Sequence, residues 1–347
     1  MKEAGNMPNR MHEFAVQCLI PVLVLLLRIQ TAPAGFDASS SQKQKFEAFE
    51  RSRVLSAKKI QEAMRAWNTD LFEQALKEAR SAGALPDWML EYQKNCLRTC
   101  PKNSILLTKN LEDTVGFYFL QEVDAFRRDV RVLPFSLLKQ PWYLSMMKCG
   151  DPLRQNLPDP GMTRSEIRSL HHVETLYAGP YPETESEKHS SLVRLILDHF
   201  EVDQRFRPVC RIVLTHFLRK HLGKRPIHLN AGSSCSALGS TALSNVCHCG
   251  LTYGLRRQTG PDSGFVDWKT MKRLLLEPDH FRAIQHADSE QGACIQSIRK
   301  IYEDLALHLL DNAAVCCAVD STAIRTRLQA GPLFRTLVPD IPPEGSP

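Results

Sequence analysis

The sequence predicts an α/β fold: a mostly parallel sheet with flanking helices, Rossmann-like and three-layered, preceded by a helical N-terminal region. Three observations lead there. Two short apolar runs, Ser104-Ile105-Leu106-Leu107-Thr108 and Val130-Arg131-Val132-Leu133, bracket a segment of helical apolar spacing. Residues 43–80 are rich in Ala, Glu, Lys, Gln and Leu with few breakers, a composition that favours helix. A further apolar run, Pro226-Ile227-His228-Leu229, follows two more helical stretches, so strands and helices alternate as a parallel sheet requires.

The chain opens on basic and polar residues, Lys2 and Arg10 among them, and is almost purely apolar from Phe14 to Leu27. A bilayer-spanning helix needs roughly 20 apolar residues, whereas a secretory signal needs only about 7 to 15 followed by small residues. Ala32-Pro33-Ala34 supplies those small residues, but Arg28 lies between. Residues 1–34 are therefore read as a signal peptide or an uncleaved membrane anchor. Either reading exports the rest of the chain to a periplasm, secretory lumen or extracellular space.

Residues 35–41 form a linker inside a helical region spanning 35–100. Gly83 and Pro86 end its first part, and a second helix is expected from Pro86 to Cys100 with Trp88, Met89, Tyr92, Cys96 and Leu97 on one side. The α/β domain covers 101–330. Its first strand, Ser104 to Thr108, reads as covered on both faces. A polar loop, Lys109 to Thr114, leads into a helix over Val115–Arg127 in which Phe119, Val123 and Phe126 recur at i, i+4 and i+7. Asp113 or Thr114 is expected to cap it. With Val130–Leu133 as second strand, the three elements make a βαβ crossover of right-handed sense.

Prolines 152, 158, 160, 180 and 182 predict an irregular excursion over 150–189. Helices follow over 191–200 and 207–222, with Gly223 at the C-terminal cap. After the third strand a Gly/Ser-rich loop, Ala231 to Gly239, leads to Leu251–Leu255. One more helix spans about Cys294 to Asp311, and 331–347 is a disordered Pro-rich tail.

With 44 basic and 38 acidic residues the net charge is only +6 and is spread along the chain, so no nucleic-acid partner is expected. Eleven cysteines permit disulfides in an oxidising compartment, but their spacings resemble no small-domain framework. Cys235, Cys247, His248 and Cys249 carry ligand atoms that zinc favours, yet the C-x-C spacing lacks a matching second pair. No metal and no cofactor are predicted. The Gly/Ser loop lacks both the P-loop lysine and the nucleophile elbow.

A resemblance rests on Pro101–Thr108, Tyr118-Phe119-Leu120-Gln121-Glu122-Val123, Arg128–Val132, Ser136-Leu137-Leu138 and Pro141-Trp142-Tyr143, in that order. Lys224–Leu229 and Gly250–Leu255 extend it, so that it covers roughly residues 88–310. The chain resembles the soluble extracytoplasmic region of the transmembrane protein O-mannosyltransferase-like family of membrane glycosyltransferases. It departs from that family where Gly-Asp-Asn-Asp-Thr is usual: here stand Asn110-Leu111-Glu112-Asp113-Thr114. The resemblance implies a sugar- or acceptor-related role without the family's multi-span catalytic portion, since the chain has room for one hydrophobic segment. No catalytic residue is carried over.

Open α/β sheets place ligands beyond the carboxyl ends of their parallel strands. By that rule loop 109–114, residues 134–143 and loop 230–240 converge, and Glu112, Asp113, Thr114, Trp142 and Tyr143 are the candidate ligand-binding residues. Their structural alternatives are a helix cap for Asp113 and core anchors for the aromatic pair. The favoured function is an extracytoplasmic accessory or glycan- and acceptor-binding domain beside a membrane-embedded glycosyltransferase or on a glycoconjugate. Membrane contact is expected only through the N-terminal segment. Alternatives are a stand-alone carbohydrate-active transferase or hydrolase using Asp113 and Glu112, and a structural protein-interaction module.

Overall fold

Asn68 divides the predicted N-terminal helix in two. The computed structural model describes residues 40–150, 157–176, 187–230, 246–255, 267–277, 280–287, 292–311 and 326. Within them, α1 (Ser40–Arg65) and α2 (Thr69–Ser81) replace one helix over 43–80. Trp67 takes a left-handed φ of 54°, and the Asn68 side chain accepts the Leu71 amide at 3.0 Å. That local bond competes with helix continuation, as Asn side chains do. The expected signal or anchor, the Ala231–Gly239 loop and the C-terminal tail lie outside the described residues. No described helix is long and apolar enough to cross a membrane.

Helix α3 (Asp87–Thr99) buries the five residues read as its inner side, and Gln93, Asn95 and Thr99 besides. Strand β1 (Ile105–Thr108) is buried along its whole length. Helix α4 (Leu111–Glu122) starts four residues earlier than expected and is capped by neither Asp113 nor Thr114. Asn110 is the cap, its side chain accepting the Asp113 amide at 2.8 Å. Nor is α4 two-sided in the expected way, since every residue from Thr114 to Gln121 is buried between the sheet and the N-terminal helices.

Strand β2 (Arg131–Pro134) pairs with β1 in parallel, Ile105 opposite Arg131 and Thr108 opposite Pro134. The crossover is thus present as read. A 3-10 turn (Phe135–Leu137) leads to α5 (Pro141–Cys149), with proline at its first position, where no amide partner is needed.

The stretch expected to be irregular contains α6 (Arg164–Leu176). Thr163 and Glu166 form a reciprocal box at its start: the Thr163 hydroxyl accepts the Glu166 amide, and the Glu166 carboxylate accepts the Thr163 amide at 2.7 Å. Helices α7 (Glu187–His199) and α8 (Arg207–His221) follow, and Gly223 sits just past α8 with a φ of 83°, as its type suggests.

Strand β3 (Ile227–Asn230) joins the other side of β1 in parallel. Strands β4 (Val246–His248) and β5 (Thr252–Leu255) then form an antiparallel hairpin, and β5 lies antiparallel against β3. The order is β2-β1-β3-β5-β4. The sheet is therefore mixed, and the prediction of a mostly parallel, Rossmann-like sheet is corrected. A three-residue link, Cys249 to Leu251, is too short for the crossover a parallel pair would need. Helices α9 (Trp268–Leu276), α10 (Arg282–His286) and α11 (Gly292–Asp311) complete the described elements, the first two unanticipated.

Register assigns the two sheet faces. Thr108, His228, Asn230 and Thr252 share one face, where Thr114, Tyr92 and Thr99 meet them from α4 and α3. Tyr253 is on the other, where its ring meets His199 of α7 at 6.0 Å. Buried side chains from Ala57 to Leu309 form one continuous apolar core around the sheet.

Candidate functional site

Parallel register puts Thr108, Pro134 and Asn230 on one edge of the sheet. Of the three segments expected to converge beyond them, the first two meet. The Ser136 amide donates to the Lys109 carbonyl at 3.1 Å, joining the β1 and β2 exits. His199 Nε2 lies 3.0 Å from the Asn230 carbonyl, and Asn230 Oδ1 accepts the Tyr92 hydroxyl at 3.2 Å. Lys109 Nζ reaches Glu201 Oε2 at 2.6 Å across the same edge. Residues 231–240 lie outside the described residues.

Asp113 stands in the first turn of α4, where a carboxylate is favoured by the free amides of the helix start. Its Oδ1 accepts Arg53 Nη2 at 2.8 Å, while Arg53 Nη1 holds Glu50 at 2.9 Å. Its carbonyl accepts Gln93 Nε2 at 2.8 Å. Burial pushes the Asp113 carboxyl above its ordinary value; Arg53 pulls it back and Glu112 beside it pushes the same way as burial. Glu112 itself is half-buried.

Thr114 is fully buried. Its hydroxyl donates to the Asn110 carbonyl at 2.6 Å and meets the Thr108 hydroxyl at 2.5 Å. It thereby ties the helix start to β1. Trp142 and Tyr143 open α5 with their rings 5.7 Å apart and 73° inclined. Tyr143 is fully buried, and the half-buried Trp142 ring carries the Arg65 guanidinium at 5.1 Å.

Glu112, Asp113 and Thr114 thus cluster at the start of α4, and the aromatic pair forms a second group. The two groups engage α1 at Arg53 and Arg65, which are about 18 Å apart along the helix axis. Sequence reasoning missed Arg53, Gln93 and His199. Arg53 lies sixty positions before its partner and carries no local signal. Asn110 was legible: a capping residue type immediately before Leu111.

Gly116, one turn beyond Asp113, lets α3 and α4 approach closely. A Cβ there would stand 1.8 Å from Gln93 Oε1. The same Gln93 side chain holds the Asp113 carbonyl, so the glycine keeps the whole contact in place.

Among the described residues no group of three or more His, Cys, Asp or Glu side chains is arranged to hold a metal ion. Cys247 and Cys249 are both buried. The Cys247 thiol beside it and burial both push the Cys249 thiol upward. Cys100 is a buried free thiol pushed up to about 12, chiefly by burial. Cys235 lies outside the described residues.

The stretch from α3 to the end of α6 carries all five candidate residues. Residues 89–178 match the family described as TMEM260-associated domain 2. The match covers a minority of the chain and links that stretch to an O-mannosyltransferase-like membrane protein. No curated protein and no solved structure matches the chain.

Proposed function

We propose that the chain is an exported accessory domain that works beside a membrane-embedded glycosyltransferase, binding a glycan or an acceptor and performing no transfer by itself. The observation that carries this reading is the match of residues 89–178 to TMEM260-associated domain 2. The geometry at Asp113 adds a physical argument against the enzymatic alternative. A general acid or base must reach a reacting proton, at roughly 2.6–3.2 Å from its own oxygen. Here the Asp113 carboxylate is engaged by Arg53 and anchors α4 to α1. With Arg53 against it, the group acts as a structural tie, and Glu112 is left without a second free carboxylate for paired acid–base work.

The test is capture of the full-length chain from detergent-solubilised membranes, together with binding of oligosaccharides and Ser/Thr-rich acceptor peptides. Co-purification of a multi-span glycosyltransferase, or saturable glycan or peptide binding, is expected. Absence of both overturns the reading. Sugar transfer or hydrolysis that is lost in Asp113→Asn, with folding intact, favours the enzyme instead.

A further inference from the structure

On the opposite edge of the sheet, at the amino ends of β1 and β2, lies an open groove of about 730 Å³. Volumes of ~300–1,000 Å³ are usual for sites that take small molecules. One wall is the C-terminal turn of α3 with the segments entering β1 and β2; the other is α9 and His280. The second wall lies outside the stretch matched to the TMEM260-associated domain.

Four cationic side chains, Arg98, Lys102, Arg127 and Arg273, and two carboxylates, Asp129 and Glu277, line this groove. The Asp129 carboxylate is already engaged on its own wall. Asp129 accepts Arg127 Nε at 2.8 Å and the Asn103 amide at 3.0 Å, and Arg127 holds its carboxyl down at about 2. Glu277 Oε2 lies 2.8 Å from His280 Nε2, and its side chain is largely exposed.

Carbonyls at the end of α3 account for part of the basic character. Arg127 donates to the Leu97, Cys100 and Pro101 oxygens, and Arg273 to the Arg98 oxygen at 3.1 Å. They leave a surplus. Among the described residues Arg98, Lys102 and Arg273 enter no ion pair. Arg98 is steadied by Asn95 Oδ1 at 2.8 Å and by the Phe126 ring at 5.8 Å, and Arg273 by its single carbonyl. Each guanidinium therefore keeps N–H donors directed at no protein acceptor, on an arm that is already positioned. Planar forks of that kind match the paired oxygens of a phosphate or carboxylate.

We infer that this groove binds a small anionic ligand, a sugar-sized molecule bearing a phosphate or carboxylate group, through Arg98, Lys102 and Arg273 with Phe126 as its apolar wall. The inference stands on the groove alone. Its failure leaves the accessory reading untouched, and failure of partner capture leaves the groove untouched.

The experiment is calorimetric titration of the full chain with glucose 6-phosphate, glucuronate, inorganic phosphate and neutral glucose. Saturable binding of at least one of the sugar anions is expected, with none for glucose, and weakening as salt rises toward about 1 M. The two sugar anions distinguish phosphate from carboxylate as the preferred group. Lys102→Gln and Arg273→Gln should each weaken binding by about tenfold. Lys58→Gln, an exposed lysine on α1, should leave it unchanged. Lys102 makes no hydrogen bond or ion pair among the described residues, so its variant also controls for misfolding. Equal binding of glucose, affinity in both groove variants unchanged from that of the unaltered chain, or no saturation by either sugar anion overturns the inference.

Discussion

Asp113 is held by a cation sixty residues earlier in the chain, and its behaviour on substitution separates a structural tie from a ligand contact. The Arg53 side chain is 12% exposed and that of Asp113 33%, so the pair is only partly desolvated. Removing one partner leaves the other charge uncompensated near the core, at a cost of about 2 kcal/mol after allowance for solvent screening. Asp113→Asn and Arg53→Gln should each lower stability by that order. A double-mutant cycle in urea should return a coupling of about 1 kcal/mol. Independent, additive effects would refute the tie. Gly116→Ala should cost about 1–3 kcal/mol, because the buried Gln93 amide must give up the Asp113 carbonyl to make room. Gln93→Ala should relieve most of the added cost of that substitution, measured as the midpoint of chemical unfolding.

Two helix starts show what single capping groups do for whole elements. Asn110→Ala removes the acceptor for the Asp113 amide and should cost about 1 kcal/mol. Glu91 serves α10 in a similar way from a distance, its carboxylate accepting the Ala283 and Ile284 amides at 2.6 and 3.2 Å. Glu91→Gln should raise hydrogen exchange at Ala283 and Ile284 first, while amides of β1 stay protected. Simultaneous loss of protection in both elements would refute that local role. The βαβ unit was legible because Ile105, Leu106 and Leu107 form an unbroken apolar run and are fully buried. Helix α6 carried an equally local signal, Thr163 with Glu166 three residues on, which the neighbouring prolines outweighed in the reading. Strand β4 carried none: Val246-Cys247-His248 is short, and its partner is set by the hairpin turn.

For the whole molecule, the buried histidines fix the acid response. His228 lies within the sheet with Nδ1 3.0 Å from the Thr252 hydroxyl, and burial depresses it from 6.5 to about 4, with Asp267 only partly opposing. Burial likewise lowers His199, His221 and His280. A depressed value in the folded chain means that the unfolded chain takes up the proton first as pH falls. Stability from His228 is therefore complete above about 6.5, declines as pH falls toward 4, and then levels, a change on the order of 3 kcal/mol. Urea unfolding at pH 7.5 and 4.5 should reveal that loss, and His228→Asn should reduce it, leaving the share of the other three histidines. An unchanged pH dependence in the variant would contradict this assignment.

By itself the sequence determined the parallel βαβ pair and the helical character of the N-terminal region, because apolar runs and helix formers act within a few positions of one another. Only the tertiary structure decided that the sheet turns antiparallel beyond β3, that Asp113 belongs to Arg53, and that α9 closes a basic groove against the end of α3. Those outcomes join residues from about twenty to 175 positions apart. Their energy comes from burial and charge pairing at long range, which leaves no periodic mark along the chain.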